Sequence, residues 1–435
     1  MTAALQRGLA DAVRAAMPMA RELFDDLAAH TAGAKGISRT PYGEGEQYAY
    51  DLIARRAAAL GLRSATDPAG NLYLTLPGAD QAAPCWMIGS HLDSVPNGGN
   101  YDGAAGVIAG LAAIAALQSL NVTLLQDVTV MCIRAEEAGS WFSGAHGGHL
   151  GSRMALGLLK SSELDTAIRM DSGQSLRTHM QACGFAPERI GQGAPYLDPK
   201  RIKGYLEIHI EQGPVLEMKE LPVGVVNSIR GNSRLRDARC LGAYNHGGAT
   251  PQDVRQDAVI ATSQLVLGVD RKWSELHAAG RDLIFTFGKL FTDPAVHSLS
   301  KVPGEVNFSL DMRSGDPGVL ALMRDFVREE AARVAAERRV RFDLGEYSIT
   351  QPTVLDTNLR ARLHEGSQAL DIAVLDMASG GGHDAQEFTR AGVPSAMIFV
   401  RNANGSHVAE EAMTLGDFET ATRLLTWMVA GEARG

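Results

Sequence analysis

Four cysteines occur in the chain, Cys85, Cys132, Cys183 and Cys240, and no two of them form a C-x-x-C pair. That removes the usual cysteine signatures of zinc and thiol–disulfide sites. Two of the four lie in apolar runs, which suits reduced, buried thiols in a cytoplasmic protein. No basic segment followed by an apolar core opens the sequence, so no signal peptide is expected. The longest apolar run, Val107 to Leu117, is broken by Gly110 and is too short to span a bilayer, so no membrane partner is expected. Positive charge is also in deficit: 41 Lys and Arg face 50 Asp and Glu, a net charge of −9, which argues against a nucleic-acid partner. Internal repeats, low-complexity tracts and long charge runs are missing. What is left is the composition of an ordinary globular enzyme, 45% hydrophobic and 21% charged. Its 435 residues suffice for two or three domains whose core needs no disulfide and no structural metal.

One stretch organises the rest, Gly89 to Gly110, GSHLDSVPNGGNYDGAAGVIAG. The apolar run Trp86-Met87-Ile88 leads into His91 and Asp93; a Gly/Asn-rich turn then brings Asp102, and a small-residue helix follows from Ala104 to Leu117. Residues two apart in a strand share a face, so Asp93 can accept the second N–H of the His91 imidazole and fix its tautomer for a metal. Asp102 would arrive from the loop as a ligand. A lone H-x-D is usually just a βα turn, but a second stretch joins it. Asp127 to Arg134 (DVTVMCIR) is another buried strand, and Glu136-Glu137 stand at its end. Adjacent carboxylates repel and need a cation or solvent. One can be a metal ligand and the other, turned away, a general base.

Taken in order, residues 1–30 read as helix with Leu5, Leu9 and Val13 on one face, and Pro18 opens a second segment through Leu23 and Leu27. Helices are expected at 46–60, 104–117 and 150–159, and strands at 71–76, 85–90, 127–134 and 204–210. Arg169 to Asp171 reads as a further short strand. Alternation of this kind predicts an α/β fold: a mostly parallel sheet with helices on both faces, and function at the carboxyl ends of its strands. After Gly213 the character changes. Residues 223–229 and 233–243 read as paired strands, 251–267 as a helix, 283–291 and 305–312 as strands, and 317–337 as a long helix. This β-α-β-β-α pattern predicts an inserted α+β domain over 214–345. The first domain, 1–213, then resumes at 346–435 with helices at 358–369 and 384–391, a Gly-rich loop at 379–382, a strand at 394–400 and a closing helix from Leu415.

The motifs GSHLDSV…YDG, EEAGSWF…LGSR, YLEIHIEQGPVLE, NHGGATPQDVRQDA, VPGEVNFSLDMR, SGGGHDAQ and NGSHVAEE occur in that order. In this the chain resembles the M20-type metallohydrolases of the N-carbamoyl-L-amino-acid hydrolase, allantoate amidohydrolase and β-ureidopropionase group. The resemblance spans nearly the whole chain. It implies two divalent metal ions per subunit, one held by His91, Asp102 and His209, the other by Asp102, Glu137 and His407, with Asp102 shared. Imidazole and carboxylate ligands suit Zn, Mn, Co or Ni without selecting among them. Two such ions can activate a shared water and polarise a carbonyl. Glu136 is then the general base that moves the water's proton to the leaving nitrogen.

The remaining assignments also follow from the resemblance. Arg313 binds the substrate carboxylate as an always-charged bidentate clamp. Gln212 contacts the ureido group, His246 stabilises the developing oxyanion, and His383 lines the pocket with the backbone of Gly380, Gly381 and Gly382. His146 and His149, close after Glu137, read as loop residues. Two positions depart from the family pattern. Val408-Ala409-Glu410 follow His407 where relatives carry Asn-Pro-Glu, and Ser300 stands where relatives carry an Asn before V-x-P-G. A homodimer through the inserted domain is implied as well. The expected activity is hydrolysis of the ureido C–N bond of N-carbamoyl-L-amino acids or related ureido acids. Its rivals are allantoate hydrolysis, a dipeptidase or N-acyl amino acid hydrolase of the same fold, and a metal-binding protein without activity. The last is opposed by the intact ligand set and Glu136.

Overall fold

The computed structural model describes residues 3–144 and 148–431. The chain packs as two compact units, Met1–Asn227 with Leu355–Gly435, and Ser228–Val354. Among the described residues no helix is long and apolar enough to cross a membrane.

The first unit is built on the larger sheet. Its centre is parallel: Cys85–His91 lies between Val128–Ile133 and Ile202–Ile210, and Ser395–Val400 runs parallel to Ile202–Ile210. Antiparallel strands complete the sides, Leu72–Leu76 and Arg63–Thr66 on one and Val223–Ile229 on the other. The central strands are buried along nearly their whole length, with Lys203 half-buried, as a sheet covered on both faces requires. Helix Ala104–Ser119 is buried on nearly every side, which explains its lack of an apolar stripe; its small residues let it sit close to the strands. A Cβ on Gly106 would strike Ile208 and Ser90.

Three expectations are corrected here. The N-terminal segment is one helix, Ala3–Thr31, with Pro18 inside it. Pro18 is exposed, while the buried row Leu9, Val13, Met17, Ala20, Phe24 and Leu27 continues past it, so packing carries the helix across the missing N–H. Strand Val223–Ile229 does not pair with the strand that follows it; it joins Ser395–Val400 in the first sheet. The chain therefore leaves the first unit at Asn227 rather than at 213, and re-enters at Leu355 rather than at 346. The local pattern was right about the strand, but nothing local shows its partner. The helix expected at 251–267 begins only at Ala258, because Asp257 caps it by accepting the N–H groups of Val259 and Ile260.

The second unit is a five-stranded sheet in which Glu305–Ser314 lies between Ile284–Phe291 and Gly231–Leu241, all antiparallel. Glu305–Ser314 alternates buried and part-buried residues along its length. Helices Ala258–Ala278 and Pro317–Arg338 supply Leu265, Val269, Met323 and Val327 to a core with Leu235, Phe308 and Leu310.

Candidate metal centre

The carboxyl ends of three parallel strands converge at one point. His91 closes its strand, His209 is next to last in Ile202–Ile210, and the turn after Ile133 presents Glu136 and Glu137. That turn is held firmly. Ala135 takes a left-handed conformation, φ 56°. Just before it, the buried Arg134 guanidinium pairs with Glu46 and lies 3.8 Å from the centre of the Tyr50 ring. A buried pair of this kind is costly to break on one side, about 3–5 kcal/mol. Glu46 also accepts the N–H of Ala135 (3.3 Å), so the pair underpins the turn that carries the glutamates.

Asp93 secures the same turn from the other side. Its two carboxylate oxygens accept the N–H groups of Glu136 (3.2 Å) and Glu137 (2.9 Å). This changes the role expected for it. The His91 Nδ1–H donates to the Asp93 main-chain carbonyl at 3.0 Å, with the carboxylate farther off at 3.5 Å. The chain has left strand geometry by Asp93, so the face-sharing rule no longer applies.

His209 Nδ1 is likewise committed, to the carbonyl of Ile210 at 2.9 Å. In their neutral forms both imidazoles therefore turn the Nε2 lone pair toward Asp102 Oδ1, at 3.4 Å from His91 and 3.1 Å from His209. The two Nε2 atoms are 3.5 Å apart. Asp102 Oδ1 is buried and makes no acceptable hydrogen bond. Three buried acceptors facing one another suit a cation, which would pair with all of them. Protons feel the same demand. Burial opposes charge on His209, yet Asp102 raises its pKa to about 9. Asp102 is held well below the carboxylate range by the two histidines, against its burial.

The other oxygen of Asp102 faces a second group. His407 Nε2 is 3.5 Å from Oδ2 and 3.0 Å from Glu137 Oε1. Ser406 Oγ (2.5 Å) and Gln212 Nε2 (2.9 Å) donate to the same Oδ2. His91, Asp102 and His209 form one candidate ligand set and Asp102, Glu137 and His407 the other, each with its ligand atoms within 4.8 Å of one another. These are the two sets the resemblance implied. His407 is the outlier in exposure, with 47% of its side chain open, so the second group lies on the solvent side. Glycine is required at Gly103, where φ is 69° and a Cβ would enter the His91 ring.

Glu136 belongs to neither set. Its Oε2 lies 3.9 Å from His91 Nε2. Burial favours its neutral form, but His91 and then His149 hold its pKa down to about 2. Gln212 reaches the second group, and a Cβ on Gly381 would lie 2.9 Å from its Oε1, so these two are neighbours. His383 is buried, edge-on to His209, with Nε2 2.8 Å from Ser379 Oγ.

His246 and Arg313 belong to the second unit. His246 Nδ1 accepts the N–H groups of Gly248 (3.2 Å) and Ala249 (3.1 Å). The proton of the neutral ring therefore sits on Nε2, as an outward donor needs. The loop is pinned by Gly247 donating to the Ser300 carbonyl at 2.6 Å, a main-chain contact indifferent to the Ser-for-Asn departure. Arg313 is braced by Asp311, which accepts from its Nε at 3.2 Å.

Three residues near the site have no site role in the sequence reading: Glu411, Glu387 and His149. Glu411 is buried, accepts the N–H of Tyr101 and of Asp102, and takes a hydrogen bond from Ser406. It fixes the loop that carries Asp102. His149, expected as a loop residue, is buried against Glu136. His146 lies outside the described residues.

Residues 87–430 match the peptidase family M20/M25/M40. The chain belongs to this family. It is 33% identical to an N-carbamoyl-L-amino-acid amidohydrolase of Paenarthrobacter aurescens, over 92% of this chain and 94% of the relative. It is also 33% identical to an allantoate amidohydrolase of Escherichia coli, over 91% and 93%. The crystal structure of an amidase of the hydantoinase/carbamoylase family from Burkholderia multivorans superposes with a TM-score of 0.86 at 27% identity, covering 96% of this chain and 98% of that one. As a member of the M20/M25/M40 family the protein is a hydrolase of amide-type C–N bonds, with two residue groups fit for metal among the described residues.

Proposed function

We propose that the enzyme hydrolyses the terminal ureido C–N bond of an N-carbamoyl-L-amino acid or a related ureido acid, releasing ammonia and carbon dioxide. The observation that carries the mechanism is Glu136: a buried carboxylate beside both ligand sets and a member of neither. His91, Asp102 and His209 would hold one divalent ion and Asp102, Glu137 and His407 a second. When bound, the ions supply Lewis acidity and lower the pKa of water. Glu136 takes the proton of the attacking water and gives it to the leaving nitrogen. We assign the ureido amide to Gln212, the developing negative charge on the ureido oxygen to the Nε2–H of His246, and the substrate carboxylate to Arg313. A ureido rather than a peptide substrate is supported by the names of the similar relatives, which include both carbamoylases and allantoate amidohydrolases.

Ammonia release tests the reaction class. The metal-stripped protein, reconstituted separately with Mn, Co, Ni and Zn, is offered N-carbamoyl-L- and D-amino acids, N-carbamoyl-β-alanine, allantoate, N-acetyl amino acids and dipeptides. Metal-dependent ammonia from a ureido compound is the expected result. Free amine from acyl or peptide substrates without ammonia would move the enzyme to the ordinary-amide branch and reject the proposal.

We also propose pairing of two chains through the second unit. Its strand Ile284–Phe291 is a sheet edge and exposes Ile284, Leu290 and Phe291. An apolar edge strand left open invites indiscriminate pairing, and a second copy would cover it. Sedimentation equilibrium should give twice the chain mass. A single-chain mass throughout the micromolar range rejects the dimer.

A further inference from the structure

His149 precedes the short helix Leu150–Ala155 in a left-handed conformation, φ 51°, and its own N–H donates to the Glu136 carbonyl at 2.9 Å. Its ring is buried between two carboxylates. Nε2 lies 3.2 Å from Glu136 Oε1, and Nδ1 lies 3.1 Å from Glu387 Oε1. Ionised carboxylates only accept, so the ring must donate from both nitrogens, which only the imidazolium can do. Glu387 stands on helix Asp384–Arg390, directly after the Gly-rich loop. The same Oε1 also accepts from Gln386 Nε2 (3.1 Å) and Arg390 Nη1 (2.9 Å), so Glu387 is itself fixed. Bare backbone closes over the ring: a Cβ on Gly382 would lie 2.8 Å from His149 Cε1 and Nε2. Glu136, His149, Gly382 and Glu387 come from three separate chain segments, and nothing in their local sequence requires them to meet.

We propose that His149, oriented by Glu387, is a positioning residue for Glu136. A glutamate has three rotatable bonds and, beside two ligand sets, every electrostatic reason to swing in and chelate. The ion pair at Oε1, 3.2 Å from His149 Nε2, commits one oxygen and leaves Oε2 turned toward His91. Orientation is what such a base needs most, since a misplacement of about 1 Å can cost roughly 100-fold in rate. The proposal rests on the reading of Glu136 as the base, and the experiment separates the two.

Two measurements test it. The first is NMR of the metal-free protein labelled with 15N-histidine. Two downfield ring N–H protons on a single imidazole are expected; both should vanish in His149→Gln, and one should shift in Glu387→Gln. The second is kcat, KM and bound metal for His149→Gln, His149→Ala, Glu387→Gln and Glu136→Gln, with the ureido compound turned over in the panel above. His149→Gln keeps a neutral donor and should lose roughly tenfold in kcat, the difference between a charged and a neutral hydrogen bond. His149→Ala should lose roughly 100-fold. KM should stay within about twofold and metal content should be unchanged, because the contact acts on the base and not on substrate binding. Wild-type kcat in His149→Gln beside an inactive Glu136→Gln overturns the positioning role and leaves the base standing. Activity in Glu136→Gln overturns the base itself. Metal lost in step with kcat in His149→Gln would make the contact mere structural support and also overturn the proposal. If His149→Ala fails to fold, Glu387→Gln and the NMR signals decide.

Discussion

Glu136→Gln is expected to bind its metal ions in full and to turn over about 1,000-fold more slowly than the wild type, within the range of about 100- to 10,000-fold that a general base contributes. The amide is nearly isosteric, so the turn held by Asp93 and Glu46 should survive; the contacts that fix it are made to the backbone N–H groups of residues 135, 136 and 137. What is lost is the ability to accept a proton. The amide also presents either an oxygen or an NH2 group to His149, so the charge-assisted contact weakens at the same time. Metal content measured by elemental analysis beside kcat is the deciding pair. A variant with full metal and more than about a tenth of wild-type kcat would show that another group takes the proton. A variant with reduced metal would show that Glu136 is a ligand, contrary to its place outside both sets.

The candidate ligand residues are legible in the sequence because metal-binding side chains collect at strand ends. His91, His209 and the glutamate pair each terminate a buried apolar run, and a parallel sheet brings such ends together. Motif resemblance then supplied what no run could: the pairing of His407 with Glu137 spans 270 positions, 407 less 137. The unread residues share a different property. His149, Glu387 and Glu411 stand in loops or short helices with no periodicity of their own, and each acts through a partner distant in sequence. Strand Val223–Ile229 shows the same limit on a larger scale. Its pattern announces a strand but not its sheet, and that choice moved the boundary of the first unit to Asn227. Asp93 escapes the strand rule for a local reason: two residues beyond a strand end the alternation of faces has ceased, and its carboxylate, 3.5 Å from His91 Nδ1, accepts the N–H groups of Glu136 and Glu137.

Asp102→Ala should remove both ions at once. Oδ1 faces His91 and His209 while Oδ2 faces His407, so a single truncation takes one ligand from each set and leaves two in each. Loss of a residue that only supports a ligand costs about 10- to 100-fold in affinity, so loss of a shared ligand should cost at least about 100-fold at each group. Turnover should then fall to background at micromolar metal, a larger loss than Glu136→Gln produces, because water activation and base act on the same step. Stability provides a readout independent of activity. A ligand that binds only the folded state stabilises it by about 2.7 kcal/mol at 100 times its Kd. Added Mn or Zn should therefore raise the melting temperature of the wild type and leave that of Asp102→Ala unmoved. His407→Ala is the informative control, since it removes a ligand from the second set alone and should retain the thermal response of the first. If Asp102→Ala still binds one ion with wild-type affinity, the two groups do not share a carboxylate, and a centre built on Asp102 as the bridge is wrong.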